Sequence, residues 1–420
     1  MPVLAAVEKV VVRSSAVQDA ESPGGASKLV SAIEDFVRSM TRDGFYSRHE
    51  LPPKAVLLYR AVMFPWVVEH GGPQEVIEAA CTEPRFNWPL VLEGLAAMGA
   101  DEHLAIAKEM TGWLERYQTI EALRAAPKRE RQLLDQLERR LSKIESANPI
   151  AVLAARWITS WPELWVVDDS DYDTIIQQHA GANPLFGIGQ LWKDVRRLER
   201  QLHDPEEVAL AFACTQAPKS ANGATEIMFA HGVHWDVEIE GKSQVVVHVR
   251  TSGGLRYGLV TDTYAALYER IEVEPFREEQ SLLLSLKSGE LPKPHNALVG
   301  KKLSHIPAEL TAEVIASQSR HNFPIAIATL LRRIGALEAK HVFIAPLRVR
   351  SEAPGPVIRW AVACSRPVPA MTAETGPFGT KIWRTDNSQI LGSLAKGEID
   401  ELAQQVAMLK QKLEEHSALL

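Results

Sequence analysis

The chain has 420 residues, of which 46% are hydrophobic, and a formal net charge of -7. This length allows two or three domains with buried cores, and the composition excludes wholesale disorder, collagen and a polytopic membrane protein. No run of about 18 apolar residues occurs, so no membrane-spanning helix is predicted. The balance of 53 acidic against 46 basic side chains argues against a protein whose main partner is a nucleic-acid backbone.

The three cysteines, Cys81, Cys214 and Cys364, are odd in number and far apart, and none belongs to a Cys-x-x-Cys motif. Each lies among apolar or small residues, which is typical of a buried, reduced thiol. Glu8 and Lys9 interrupt the apolar start of the chain, so no secretory signal is predicted. We therefore expect a cytoplasmic protein.

Helical periodicity dominates the first half of the chain. Small and polar residues at 21–27 predict that residues 1–25 form a flexible leader. From residue 26 apolar residues recur at steps of three and four, and the pair Gly71-Gly72 ends one of the predicted helices. The acidic run 168–173 is interpreted as a helix-capping loop. The first module, residues 26–203, is therefore predicted to be all-helical.

The hydrophobic period changes near Pro205. Short apolar runs at 208–215 and 226–230 and a clean alternation at 234–250 predict sheet. Further segments are predicted as helices at 262–271, 277–288 and 307–335, and as strands at 341–350 and 356–364. We therefore expect an α+β module over residues 204–386, with an antiparallel or mixed sheet and helices, and an α+β class for the whole chain.

The last segment, residues 387–420, is predicted to be one amphipathic helix. Ile399 and Val406 occupy a positions of a heptad pattern, and Leu402 and Leu409 occupy d positions. Branched residues at a with leucine at d favour a parallel two-stranded coiled coil. Only about three heptads are present, so packing of this helix on its own domain is an equally weighted alternative. The first alternative predicts self-association through residues 395–420.

The clearest local prediction is a hairpin over 234–250 with a three-residue loop, Gly241-Lys242-Ser243. This register places Asp236 opposite His248 and Glu238 opposite Val246. A two-residue loop would place valines opposite acidic residues, so we favour the longer loop. The resulting sheet face would be almost entirely polar.

That polar face is the candidate site. Acid/base catalysis would use His234, Asp236, Glu238 and His248. A divalent metal, the one cofactor that the face suggests, would be held by His231, His234 and Asp236. The competing interpretation is an ordinary solvated sheet face, which antiparallel sheets often have. Nothing else in the sequence predicts a cofactor.

Residues 51–110 carry several features of a known family. Leu51-Pro52 opens a helix that contains Tyr59, the run Glu69-His70-Gly71-Gly72 precedes Gln74, and Leu95 to Glu102 leads into the next helix. In these features the segment resembles the domain of unknown function that includes the DNA mimic protein family. The resemblance implies a small helical domain that binds proteins and does not act as a catalyst.

From these patterns we expect a cytoplasmic, non-enzymatic interaction or regulatory protein, such as a bacterial immunity or defence component. Its partner would be another protein or a second copy of the chain, with no membrane association. The first alternative is a metal-dependent hydrolase or nuclease that uses the polar hairpin face. The second is a nucleic-acid-binding protein that uses the basic helical runs 128–131 and 193–200.

Overall fold

The computed structural model describes residues 7–82, 87–117, 119, 121–122, 125–218, 225–271, 298–338, 341–364, 370–386 and 388–418. The chain divides into two compact units: unit 1 comprises residues 1–190 and 406–420, and unit 2 comprises residues 191–405. In the described residues every helix is too short or too polar to cross a lipid bilayer. Helices and antiparallel sheets are both abundant, so the predicted α+β class is confirmed.

Unit 1 is mainly helical. Its elements are α1 (Ser14–Val17), α2 (Pro23–Arg42), α3 (Pro53–Thr82), α4 (Trp88–Ala97), α5 (Asp101–Arg116), α6 (Lys128–Ala147), α7 (Ile150–Thr159), α8 (Asp169–Gly181) and the beginning of α9 (Phe186–His203). A positive φ of 75° at Gly72 divides α3 into two helical segments, at the break that the glycine pair predicts. The Ser22 side chain caps α2 by accepting a hydrogen bond from the Gly25 amide.

Two short parallel strands correct the prediction of an all-helical first module. Strand β1 (Val10–Arg13) pairs in parallel with β2 (Leu164–Val167). The side chains of Val10, Val11 and Val12 are fully buried. Residues 7–25 are therefore not a flexible leader, because burial of three valines stabilises the fold by several kcal/mol.

The acidic run 168–173 forms the start of α8. Asp169 and Asp171 lie in its first turn, where carboxylates interact favourably with the helix dipole. The Asp169 carboxylate also accepts hydrogen bonds from the Ser14 hydroxyl and the Ser15 amide, at 3.2 and 3.1 Å. These bonds join the beginning of α1 to the beginning of α8.

The core of unit 1 lies between the helices. One face of α2 is buried along its whole length through Leu29, Ile33, Phe36, Val37 and Met40. Gly94 of α4 lies so close to α3 that a Cβ atom would come within 2.6 Å of the Leu57 carbonyl oxygen. The fully buried His103 has its Nε2 atom 2.6 Å from the Glu145 carboxylate, which also accepts the Ile150 amide.

Unit 2 contains a pair of helices followed by a five-stranded antiparallel sheet, and this succession occurs twice. The first set is α9 and α10 (Pro205–Gln216) with β3 (Met228–Ile239), β4 (Lys242–Thr251), β5 (Gly254–Val260), β6 (Tyr264–Ile271) and β7 (Leu298–Pro307). The second is α11 (Ala308–Arg320) and α12 (Phe323–Arg333) with β8 (Val342–Glu352), β9 (Gly355–Cys364), β10 (Met371–Gly376), β11 (Gly379–Arg384) and β12 (Ile390–Ala395). In both sheets neighbouring strands are consecutive along the chain.

The first five-stranded sheet, β3–β7, packs one face on α10. Gly258 of β5 leaves room for the Leu210 side chain, and the Ser304 hydroxyl of β7 donates to the Ala213 carbonyl at 2.7 Å. Two predictions are wrong here. The apolar run 208–215 is part of helix α10, which is buried on nearly all sides, and the predicted helix 262–271 contains strand β6. The helix predicted over 277–288 lies outside the described residues.

The second five-stranded sheet, β8–β12, packs one face on α11 and α12. The Trp360 ring of β9 stacks on Phe323 of α12 with ring centroids 4.3 Å apart. The predicted strands 341–350 and 356–364 correspond to β8 and β9, and the predicted helical region 307–335 corresponds to α11 and α12. Strands β10 and β11 were not predicted. Strand β12 lies within 387–420, where one continuous helix was predicted, so that prediction is wrong for residues 390–395, which pair with β11 instead.

Strand β8 lies at an edge of this sheet. Side chains form hydrogen bonds with the backbone groups on its unpaired side. Gln201 donates to the Val342 carbonyl at 2.9 Å and accepts from the Ile344 amide at 3.3 Å. Further along, Gln216 donates to the Leu347 carbonyl at 2.8 Å. These side chains pair backbone groups that a bare edge would leave open.

The last helix, α13 (Lys396–Ala418), begins in unit 2 and continues into unit 1. Ile399, Val406 and Leu409 of the heptad stripe are buried within the chain itself. The Lys412 ammonium donates to the Glu50 carboxylate at 3.2 Å. This burial favours the alternative in which the helix packs on its own protein.

Candidate functional site

The turn of the predicted hairpin is shorter than the sequence argument requires. Glu240 and Gly241 form a two-residue turn, with φ values of 54° and 76°, and Ile239 pairs with Lys242. Turns with two positive φ values match the right-handed twist of the flanking strands. The predicted three-residue loop is therefore wrong.

The shorter turn changes which side chains share a face. Asp236 lies opposite Val245, Glu238 lies opposite Ser243, and His248 lies opposite Gly232. Because successive residues of a strand alternate between faces, His248 lies on the face opposite to Asp236 and Glu238. Its ring contacts Tyr257, with centroids 5.1 Å apart. The predicted continuous polar face does not form, and Val245 remains 53% exposed beside the turn.

The predicted metal ligands are also apart. His231 pairs with Val249 and Asp236 with Val245, four residues away on β4, which corresponds to about 13 Å along the strand. His234 pairs with Val247 through its backbone, and its side chain lies outside the described residues. Within the described part of the chain no three His, Cys, Asp or Glu side chains come together as a metal site.

His231 instead contacts a carboxylate from the helix beneath the sheet. Its Nε2 atom lies 3.3 Å from the carboxylate of Glu207 on α10. The pair borders a cleft of about 200 Å³ with apolar walls that include Phe229 and Phe343. Among the predicted site residues whose side chains the structure describes, His231 lies in this cleft.

The two cysteines whose side chains the structure describes lie in environments that do not activate a thiol. Cys214 is buried in α10 and Cys364 is half-buried at the end of β9, and both are free thiols. Burial raises the pKa of each thiol, which disfavours the nucleophilic thiolate. The side chain of Cys81 lies outside the described residues.

A different polar surface lies on the second five-stranded sheet, on the face turned away from α12. We call it the basic face and define it by Arg348, Arg350, Arg359, Glu374, Lys381 and Trp383. These residues alternate with buried ones such as Ile358, Trp360 and Ile382. Because side chains of a strand alternate, burial of one set against the helices turns the other set outward.

Charged residues form a row across four strands of the basic face. Arg348 of β8 lies opposite Arg359 of β9, which lies opposite Glu374 of β10, which lies opposite Lys381 of β11. Glu374 accepts hydrogen bonds from the Arg359 guanidinium and the Lys381 ammonium, each at 2.9 Å. Burial opposes ionisation of this carboxyl, but the two hydrogen-bonded cations hold the pKa of Glu374 below its usual value.

The row leaves positive charge uncompensated at one end. Arg348 is exposed, and no carboxylate of the described residues lies within ion-pair distance of it. It faces Arg359 directly, and like charges in opposed positions destabilise a sheet. An anionic group bound between the two guanidinium groups would relieve this repulsion.

Trp383 gives the basic face an aromatic centre. The Arg359 guanidinium and the Lys381 ammonium lie 5.9 and 5.7 Å from its ring centroid, within cation–π range. The ring is half-buried, so part of its surface is open to a ligand. On the neighbouring strand, Ile390 is exposed beside it.

A depression of about 350 Å³ lies next to the charged row, at the end of the sheet formed by the β10–β11 turn. Its floor and walls are small or apolar and comprise Val357, Gly376, Phe378, Gly379, Ser393 and Ala395. Phe378, at the turn, is 80% exposed. The charges of Glu374 and Lys381 border the depression, so an apolar contact and an ionic contact are available side by side.

Sequence reasoning missed the basic face because two of its four strands, β10 and β11, were not predicted. A signal was present: Lys381-Ile382-Trp383 alternates in the manner of Arg348-Val349-Arg350 and Arg359-Trp360-Ala361. The alternating segments are only three residues long and are therefore weak. Their assembly on one face depends on the register of three successive strand pairings, β8 with β9, β9 with β10 and β10 with β11.

Comparison with protein-family models, with curated proteins and with solved structures finds no match for this chain.

Proposed function

We propose that this protein is a cytoplasmic interaction protein, and that its basic face binds an extended acidic segment of another protein. The observation that carries the proposal is the opposed pair Arg348 and Arg359, one of which has no anionic partner in the described residues. Guanidinium groups on opposed residues suit carboxylates, which arginine binds in bidentate geometry.

The depression beside Phe378 supports a segment that carries an apolar anchor. Interfaces are held by a few apolar or aromatic side chains in small pockets, surrounded by polar contacts. A volume of about 350 Å³ has room for one leucine or phenylalanine side chain. An apolar residue followed by aspartate or glutamate would place its anchor in the depression and its charges on the arginines.

A protein segment explains the face better than a nucleic acid does. Glu374 lies in the middle of the charged row and would repel a continuous phosphate backbone. A separated set of carboxylates avoids that position. The chain also carries a net charge of -7, which weakens non-specific attraction to polyanions.

The test uses the full chain and a fluorescent peptide in which aspartate and glutamate surround a single leucine. Fluorescence anisotropy measures its binding to the parent protein, to Arg348→Glu and to Arg250→Glu. Arg250 is an exposed arginine on β4 of the first five-stranded sheet, so its variant is the matched control. We expect Arg348→Glu to bind about tenfold more weakly, the control to bind as the parent does, and added salt to weaken binding.

A separate measurement tests whether the leucine side chain of the peptide contributes to binding. A peptide with serine in place of the leucine is expected to bind more weakly, and Phe378→Ser is expected to remove that difference. Equal binding by Arg348→Glu and Arg250→Glu would contradict the proposal. Preferential binding of a single-stranded oligonucleotide over the peptide would show that the face serves nucleic acid instead.

A further inference from the structure

A further cavity lies in unit 1, beside the carboxyl end of β1. It is a groove of about 580 Å³ along the exposed side of α2, which we call the α2 groove. Arg13, the last residue of β1, and Tyr172 of α8 form part of its wall. The carboxyl ends of parallel strands are the usual position of ligand sites in α/β arrangements, and this volume is in the range of small-molecule sites.

One cation in the wall of the α2 groove, Arg13, is held in a fixed position. The Arg13 guanidinium lies over the Tyr172 ring, 4.4 Å from its centroid, and donates to the Asp173 carboxylate at 2.7 Å. It also donates to the Asp169 carbonyl. These contacts hold the guanidinium plane in one orientation, so a bound anion would not have to order it.

Two further cations line the α2 groove and are not neutralised. Lys28 and Arg42 are exposed, and in the described part of the chain neither has a carboxylate within ion-pair distance. They are fourteen residues apart on α2, a separation of about 21 Å along the helix. Arg38 is paired with Asp35 at 3.1 Å between them. The groove therefore carries more positive than negative charge, distributed along its length.

Hydroxyl groups and carboxylates alternate with these cations. Ser31 and Ser39 line the α2 groove, together with Asp35 and Asp43. Serine hydroxyls and carboxylates form hydrogen bonds with the hydroxyl groups of a sugar, whereas lysine and arginine bind phosphate. The combination is suited to a ligand that carries both groups.

We infer that the α2 groove binds a phosphorylated small molecule that carries sugar hydroxyls. A nucleotide and a sugar phosphate share this chemistry. Lys28 and Arg42 lie at opposite ends of the groove, so one of these two cations binds the phosphate. This site is separate from the basic face and is independent of the function proposed for that face.

Calorimetric titration of the full chain with four probes tests the inference. Adenosine triphosphate and glucose 6-phosphate are the phosphorylated probes, and adenosine and glucose are their matched controls. The variant is Lys28→Gln combined with Arg42→Gln, and its control is Lys108→Gln combined with Arg139→Gln, two exposed cations elsewhere in unit 1. All four positions are exposed, so neither double variant is expected to affect folding.

We expect at least one phosphorylated probe to bind, and its unphosphorylated counterpart to bind at least about tenfold more weakly. The Lys28 and Arg42 variant should lose about tenfold or more in affinity, and the control variant should bind as the parent does. The relative affinities of the two phosphorylated probes show whether the ligand is a nucleotide or a sugar phosphate. Binding of neither, or equal binding by both double variants, would overturn the inference.

Discussion

Glu374 is the residue at which the charges of the basic face converge. Its carboxylate accepts one hydrogen bond from Arg359 and one from Lys381, and the pKa of Glu374 is lowered although burial acts in the opposite direction. A lowered pKa means that the folded state favours the ionised carboxyl more strongly than the unfolded chain does. The resulting stabilisation is present above the unfolded pKa and is lost as the pH falls through the folded pKa.

Glu374→Gln is therefore expected to lower the free energy of unfolding by about 1 kcal/mol at neutral pH. At an acidic pH below the folded pKa of Glu374, the parent and the variant should converge, because the parent carboxyl is then protonated in both the folded and the unfolded chain. Urea unfolding at both pH values measures the difference. Glu352→Gln is the control, since Glu352 is more exposed and lies 3.7 Å from Arg350. A constant difference between parent and variant at both pH values would contradict this account.

Gln318 of α11, unlike Glu374, is a buried polar residue whose side chain has no hydrogen-bond partner in the described residues. Its amide is fully buried, and in the described residues neither its oxygen nor its nitrogen contacts a hydrogen-bond partner. A buried amide without partners costs about 1–3 kcal/mol. Gln318→Met keeps the approximate volume and removes the polar atoms, so the melting temperature should rise. A fall in melting temperature would show that the amide is hydrogen-bonded in solution.

At the scale of elements, the crossing of α3 and α4 depends on one glycine. A Cβ atom at position 94 would lie 2.6 Å from the Leu57 carbonyl oxygen and 2.8 Å from the Ala61 Cβ atom. Gly94→Ala is therefore expected to reduce the free energy of unfolding by about 1–3 kcal/mol. A Cβ atom at position 112 of α5 would have no atom within 4 Å beyond the neighbouring backbone of its own helix, so Gly112→Ala should stabilise the protein by about 0.5–1 kcal/mol. Chemical unfolding of both variants is the measurement, and a neutral Gly94→Ala would contradict the close crossing.

Element types were predictable where local pattern and tertiary environment agree. Helix α2 has one buried stripe, and β8 and β9 carry alternating residues, so both types follow from periodicity. Helix α10 is buried on nearly all sides and has no stripe, so its apolar residues resemble a buried strand. Segment 264–271 contains several helix-forming residues, but pairing with β5 and β7 determines its strand conformation.

The candidate sites were less predictable than the elements. The face that a residue occupies depends on strand register, and register at 240–241 depends on whether Glu240 can adopt a positive φ. The polar residues of 234–250 were therefore assigned to one face although they lie on two. The basic face combines residues of four strands, and the α2 groove combines α2 with β1 and α8. Such sets require long-range pairing that local pattern does not encode.

On the scale of the whole molecule, the repeated succession of helix pair and five-stranded sheet organises unit 2. The two sheets have the same strand order, yet no repeat of fixed period is visible in the sequence. The two sheets differ on the face that is turned away from the helices. The second sheet carries the basic face, whereas the corresponding face of the first has the buried Tyr257 and Tyr268. Architecture is thus shared between the copies, and surface chemistry is not.

The heptad stripe of α13 yields a prediction about the intact chain. Leu409 is buried within the chain, so Leu409→Ala should lower the free energy of unfolding by about 2–4 kcal/mol. Because the stripe packs internally, the oligomeric state should stay as it is in the parent. Thermal unfolding and light scattering after size exclusion measure the two properties. An altered oligomeric state with unchanged stability would favour the coiled coil. Met408→Ala, at an exposed position, is the control.

The glutamine contacts on β8 have a consequence for the behaviour of the protein at high concentration. An open strand edge recruits strands from other molecules and thereby starts aggregation. Gln201 reproduces, with one side-chain amide, the donor and acceptor that a neighbouring strand would supply to Val342 and Ile344. Gln201 thereby blocks pairing of β8 with a strand of another molecule. At this edge, the fold itself therefore occupies the backbone groups that would pair with another strand.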